Sequence, residues 1–215
     1  VPHIAEQDDR RPVGAPAQRA GLLPAPIAAD PKVFVVTGPS GVGKGTLIRT
    51  LRERVPGLEL SVSATTRTPR PGEEDGIDYH FLSEAEFGQR LDAGDFVEHA
   101  EYAGNRYGTL RSEIDRAAAV GAKALVLEIE VQGARQVREA LPGAVQVFIA
   151  PPSDDALRTR LVGRGSDAPE QIERRLAVAA DELAARDEFE HVIVNDRLEE
   201  AVEELVRLVA TMCAE

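Results

Sequence analysis

The sequence predicts an α/β fold, a parallel sheet with helices on both faces. Three observations predict it. Short runs rich in Val, Ile and Leu recur at Val33–Thr37, Ala124–Ile129, Val145–Ile149 and His191–Val194. Helical segments separate these runs, and strands alternating with helices form a parallel sheet that is covered on both sides. The first run leads directly into a glycine-rich turn and a helix, the opening of a βαβ unit.

Residues 1–31 stand apart. They hold six of the 14 prolines and no aromatic residue, so they are expected to form a disordered tail that cannot offset its ordering entropy. His3 lies near Glu6, Asp8 and Asp9 but completes no recognisable ligand spacing. From Lys32 the pattern changes. After the strand at Val33–Thr37, a helix is expected over about Thr46–Val55, stopped by Pro56-Gly57. Leu60–Ser63 alternates like a strand. A turn-rich basic stretch runs from Thr65 to Gly76, and short strands near Tyr79–Phe81 and Phe96–Glu98 flank a polar helix over about Ser83–Ala93. Residues 61–113 are thus expected to form a small mixed insertion.

The core resumes with a helix near Leu110–Val120, ended by Gly121, and with the strand at Ala124–Ile129. The strand at Val145–Ile149 stops at Pro151-Pro152. Helices are expected over Asp154–Leu161 and Pro169–Arg186, with residues 153–175 forming a helical lid. His191–Val194 is the last strand, and Leu198–Met212 reads as an amphipathic closing helix. The expected core is therefore 32–60, 114–152 and 176–215.

Composition narrows the function. A net charge of −12 over 215 residues repels nucleic acid and anionic membranes, so neither is an expected partner. The basic residues are 22 Arg and three Lys, so a motif that uses a Lys carries extra weight. Arg keeps its charge and offers a planar fork, which lets local clusters bind phosphate within an acidic chain. Cys213 is the only cysteine, which excludes an intrachain disulfide or a multi-cysteine metal site and fits a reducing cytoplasm. No apolar run approaches the roughly 18 residues of a spanning helix, and the N-terminus has no signal-peptide core.

Gly38-Pro39-Ser40-Gly41-Val42-Gly43-Lys44 matches the G-x-x-x-x-G-K half of a phosphate-binding loop. Glycines let successive N–H groups curl around phosphate oxygens, and the helix that follows presents its positive end to the same anion. Lys44 adds a mobile charge near the β and γ phosphates. The next position is Gly45, where the motif has a magnesium-binding Ser or Thr. Thr46 comes one residue later, about 100° further around the helix. Thr46 is therefore the candidate metal residue, directly or through water.

The acceptor is read elsewhere. In Ser63-Ala64-Thr65-Thr66-Arg67-Thr68-Pro69-Arg70-Pro71-Gly72-Glu73, Arg67 and Arg70 stand three apart, a spacing that closes on one phosphate or serves a plain solvated loop. Tyr79 and Tyr107 offer hydroxyls for remaining oxygens. This stretch, followed by Gly76–Phe81, resembles the signature of the guanylate kinase family. So do Gly104–Thr109, Ile149–Ser153, Arg160–Gly165 and Val194–Asp196, and the resemblance spans the chain from about residue 33.

The resemblance implies a P-loop NTPase fold with a GMP-binding insertion, transfer of a phosphoryl group from ATP to GMP with Mg²⁺, and acceptance of dGMP. It implies that Arg67, Arg70, Tyr79 and Tyr107 hold the GMP phosphate. Ser63, Glu98 and Thr109 would read guanine, whose N1–H and amino group are two donors that a carboxylate accepts together. Gly38, Pro39, Ser40, Gly41, Val42, Gly43, Lys44, Gly45 and Thr46 would hold ATP, with Asn195 near the adenine. Arg160, Arg164 and Arg175 match lid arginines that neutralise the moving phosphoryl group beside Lys44. Glu128 and Glu130 end a strand where α/β sites form, and the resemblance implies that both belong with the GMP-binding residues. Glu130 replaces the family's usual Asp, and its extra methylene shifts the carboxylate outward. Two other readings remain at this point, a catalytically inert protein-binding relative and a kinase for another nucleoside monophosphate. The intact Gly38, Gly41, Gly43 and Lys44 speak against the first, and the Ser63, Glu98, Arg67 and Arg70 set against the second.

Overall fold

Five parallel strands make the main sheet of the computed structural model, which describes residues 30–102, 104–163 and 169–214. In chain order they are β1 (Lys32–Thr37), β2 (Leu58–Leu60), β7 (Ala124–Glu128), β8 (Val145–Ala150) and β9 (His191–Val194), and across the sheet they run β2, β7, β1, β8, β9. Asp30 and Pro31 alone represent the foreseen tail, and Arg164 lies outside the described residues.

The two faces of β1 seed two cores. Phe34 and Val36 pack with Leu47 and Leu51 of α1 (Lys44–Arg54), and with Val202 and Leu205 of α7 (Leu198–Met212). Val35, with Leu125 and Leu127 of β7, packs against Ala134 and Val137 of α4 (Val131–Ala140) and Ala117 of α3 (Ser112–Ala119). Strand alternation puts successive side chains on opposite faces, and each large apolar group so buried contributes about 1.5–3 kcal/mol. Leu157 and Leu161 of α5 (Asp154–Gly163) and Ala179 of α6 (Pro169–Ala184) join the first core, so the expected lid helices rest on the main body.

A second, mixed sheet holds β4 (His80–Phe81), β3 (Ala64–Thr65), β6 (Asn105–Leu110) and β5 (Phe96–Tyr102), in that order. β3 pairs parallel with β4, and the other pairs are antiparallel. Ala64, Phe87, Phe96 and Leu110 form its own small core, with the Phe87 and Phe96 rings stacked 4.4 Å apart. Phe87 comes from α2 (Glu84–Asp92), whose start is set by a capping box between Ser83 and Glu86.

Several sequence expectations are corrected. The alternation at Leu60–Ser63 is not one strand. β2 ends at Leu60 and β3 starts at Ala64, because the chain crosses here between sheets. Ser61 N donates to Val126 O on the main sheet, and Val62 N donates to Glu113 of α3. Leu110 belongs to β6 rather than to a helix, and α3 begins at Ser112. The first helix starts at Lys44, two residues early, and α6 ends at Ala184 with a 3-10 turn at Arg186–Glu188.

Candidate functional site

The carboxyl ends of the parallel strands place the site, as in other open α/β sheets. β1 runs into Gly38, β7 ends at Glu128 and β9 leads into Asn195. Gly38 has φ +139°, and a Cβ there would fall 2.2 Å from Ile149 O, so only glycine fits this turn against β8. Lys44 Nζ donates to Gly38 O (2.6 Å) and Pro39 O (3.3 Å), which folds the ammonium back over the loop. The loop's outer side is braced as well. Asn195, buried, donates through Nδ2 to Val42 O (2.8 Å). Arg160 Nη1 donates to the same carbonyl (3.2 Å), and its Nη2 donates to Asn195 O (2.8 Å). Arg175 Nη2 donates to Ser40 Oγ (2.8 Å).

A cleft of about 470 Å³ opens beside Lys44. Ser63, Arg67, Arg70, Tyr79, Glu98, Tyr107, Glu128 and Glu130 all line it, so residues scattered over the middle of the chain converge on one space. Thr109 sits behind, its hydroxyl donating to Glu98 Oε1 (2.7 Å). A roomier hollow of about 750 Å³ lies at the amino ends of β1 and β7, lined mostly by alkyl groups with Asp30, Lys32, Lys123 and Cys213. It gathers none of the groups above.

Electrostatics differ around the cleft. Glu98 is only 5 % exposed, and burial pushes its carboxyl up against the opposing effect of Thr109. Glu128 and Glu130 touch solvent but stand in a recess crowded by protein, which raises both, while Lys44 draws both down. Burial also raises the Tyr79 phenol. Its ring lies 6.2 Å from that of Tyr107, and the Arg67 guanidinium stands 5.2 Å from its centroid. Arg67 is aimed by Glu73, which accepts from its Nη2 at 2.9 and 3.0 Å and also from Arg70 N (2.8 Å). One carboxylate thereby sets the pose of the first arginine and the turn that carries the second.

Sequence reading missed Ser61, Asp78, Gly108 and Gly133, which also line the cleft. Gly133 is the telling one. A Cβ there would fall 2.5 Å from Glu98 Oε2, so a side chain at 133 would displace the Glu98 carboxylate. Glu73 was visible as the last residue of its motif, but its job as the partner of Arg67 was not.

Among the described residues, no group of three or more His, Cys, Asp or Glu is arranged to hold a metal. Gly45 has open space where a side chain would stand, and Thr46 is exposed beside it. Magnesium commonly keeps several waters and binds through substrate phosphates with one or two protein groups. The exposed hydroxyl at Thr46 fits such sparse ligation.

A glycine-rich loop that opens directly onto a cleft carrying Lys44, Arg67 and Arg70 is the layout of a P-loop phosphotransferase, with donor and acceptor in adjoining sites. Comparison with known proteins narrows the class. The family model for guanylate kinase matches residues 30–212, and the chain belongs to the guanylate kinase family. It is 52% identical over 197 residues to a guanylate kinase of Mycolicibacterium paratuberculosis, covering 91% of this chain and 87% of that protein. It is 50% identical over 188 residues to one of Streptomyces coelicolor, covering 87% and 95%. The crystal structure of guanylate kinase from Anaplasma phagocytophilum is similar with a TM-score of 0.68 at 31% identity, covering 86% of this chain and 88% of that one.

Proposed function

We propose that this chain transfers the terminal phosphoryl group of ATP to GMP, giving ADP and GDP, and that it also accepts dGMP. One observation carries the reading. Lys44 of the phosphate loop lines the same cleft as Arg67, Arg70 and Glu98, so a donor on the loop and a purine monophosphate in the cleft meet at Lys44.

Each residue then has a task. Arg67, Arg70, Tyr79 and Tyr107 bind the acceptor phosphate, and Glu73 keeps Arg67 facing it. Glu98, held by Thr109, accepts from guanine N1–H and its amino group, with Ser63 beside it. Adenine lacks that donor pair and would leave a buried carboxylate unmatched, which makes the rejection strong. The loop from Gly38 to Thr46 cradles the donor phosphates, braced by Asn195. Arg160, Arg164 and Arg175 neutralise charge on the moving group, and the acceptor's own phosphate oxygen attacks, so no protein nucleophile is required. Thr46 would help hold Mg²⁺, directly or through water, where the ion offsets the charge of the donor phosphates, and Glu128 and Glu130 border the acceptor.

No described helix is long and apolar enough to cross a membrane. Together with the lone Cys213, this supports placing the reaction in the cytoplasm.

A coupled assay with ATP against GMP, AMP, UMP and dTMP tests the reading. Activity is expected with GMP and not with the others. Lys44→Ala is expected to abolish turnover while GMP binding survives. Full activity in that variant, or preference for another monophosphate, overturns the proposal.

A further inference from the structure

Helix α6 touches the phosphate loop at two points spaced two turns apart. Arg175 Nη2 donates to Ser40 Oγ, and seven residues on, Glu182 Oε2 accepts from Ser40 N at 3.3 Å. That spacing puts both side chains on one helix face. An arginine is the expected visitor to a phosphate-binding loop. A carboxylate is not, because it brings negative charge to backbone N–H groups and a lysine arranged for anions.

Glu182 is tied to that lysine electrostatically. Burial raises its carboxyl, the charge of Lys44 draws it down and Glu130 pushes it up. It therefore answers to the same cation that serves the donor phosphates. A carboxylate and a phosphate oxygen accept from an N–H in the same way, and one N–H serves one of them well. Tight holding of the donor in the ground state does nothing for the chemical step, and it slows exchange of the nucleotide once transfer is over.

We propose that Glu182 is a positioning residue that competes with the donor's outer phosphates for Ser40 N–H and for the charge of Lys44, so that the loop holds nucleotide less firmly than its amides and arginines allow. This rests on the donor reading given above. The competition grows with the number of phosphates on the nucleotide, and Glu182 contributes no lining group to the acceptor cleft.

Calorimetric titration of the full chain with ATP, ADP, AMP and GMP tests it. Glu182→Gln keeps the shape and an acceptor oxygen but removes the charge. Its dissociation constant for ATP is expected to fall about fivefold, that for ADP by less, and those for AMP and GMP to stay within about twofold. Glu182→Ala should move the same way and serves if the Gln variant does not fold. Glu182→Asp, which keeps the charge, should stay near the parent for all four ligands. A merely structural glutamate would show the reverse, with Gln harmless and Asp disturbed. Unchanged or weaker ATP binding in both neutral variants overturns the proposal, as does equal tightening for AMP. Lys44→Ala is titrated alongside. If it binds ATP as the parent does, the donor reading has failed; if it loses ATP while the neutral variants gain nothing, Glu182 has no such role.

Discussion

Glu98 lies on β5 and Gly133 on α4, 35 positions apart, yet each limits the other. The carboxylate is fixed at one oxygen by Thr109, and its other oxygen occupies the volume where a Cβ at 133 would stand. Gly133→Ala adds one methyl to a helix that tolerates alanine well, so the helix itself should gain. The carboxylate must swing away, and hydrogen bonds to charged groups are worth about 1.5–3 kcal/mol. The expected result is a rise of about 10- to 100-fold in KM for GMP, with KM for ATP and thermal stability little changed, measured by steady-state kinetics and melting. Glu98 itself was legible only through the family resemblance, since none of the motifs above contains it. Gly133 was not, since a glycine within a helix carries no mark of what approaches it from outside. Glu182 was hidden for a related reason. Helical glutamates are common on solvated faces, and only the packing of α6 on Ser40 separates this one from the rest.

Among elements, the buried parallel strands were the easiest to read, because Val, Ile and Leu runs in a chain short of aromatics have few other uses. β6 was much harder. Asn105–Leu110 has one aromatic and no β-branched residue except Thr109, and it becomes a strand because β3 and β5 both pair with it. Tertiary pairing outweighs propensity there. The junction near Ser61–Ser63 was misread for a similar reason. Its backbone donors are claimed by Val126 and Glu113, one on each side of the crossing. Glu113 also meets His80 Nε2 at 3.0 Å and Arg116, so a single buried carboxylate fastens α3 to both ends of the insertion's first segment. The insertion depends further on its own small core. Phe87→Ala removes a fully buried ring stacked on Phe96, at a cost of about 3–5 kcal/mol. That loss falls on the second sheet. Hydrogen exchange should show β3, β5 and β6 deprotected while β1, β7 and β8 stay slow, and GMP binding should weaken far more than ATP binding. Equal loss across both sheets would show that the two fold as one unit.

At the scale of the whole molecule, the site works against stability. Burial raises the carboxyls of Glu98, Glu128, Glu130 and Glu182. A group whose pKa is higher in the folded chain stabilises fully below its unfolded pKa and loses that contribution as pH rises through the folded one. Glu73, Glu86, Glu113, Glu188 and Glu203 are lowered by their partners, so what they contribute is lost only as pH falls below the ordinary glutamate range. Above the ordinary glutamate range the first group governs, and the melting temperature should climb as pH is lowered toward that range. Catalysis should move the other way, since guanine recognition needs Glu98 ionised, and kcat/KM for GMP should fall over the same interval. Parallel slopes would contradict this. The fold and most of the cleft could be read from linear motifs. The opposition between stability and activity could not, because it depends on how deeply each carboxylate sits.

The bond from Asn195 to the carbonyl of Val42 spans 153 positions, from just past the last strand back to a loop near the start. A chain growing on the ribosome makes its glycine loop early but receives this brace only when β9 has emerged and added to the edge of the sheet. This contact of the glycine loop therefore forms later than the loop itself. A truncated polypeptide that lacks the final strand and helix would carry the whole glycine-loop motif in its sequence without the side chain that braces it.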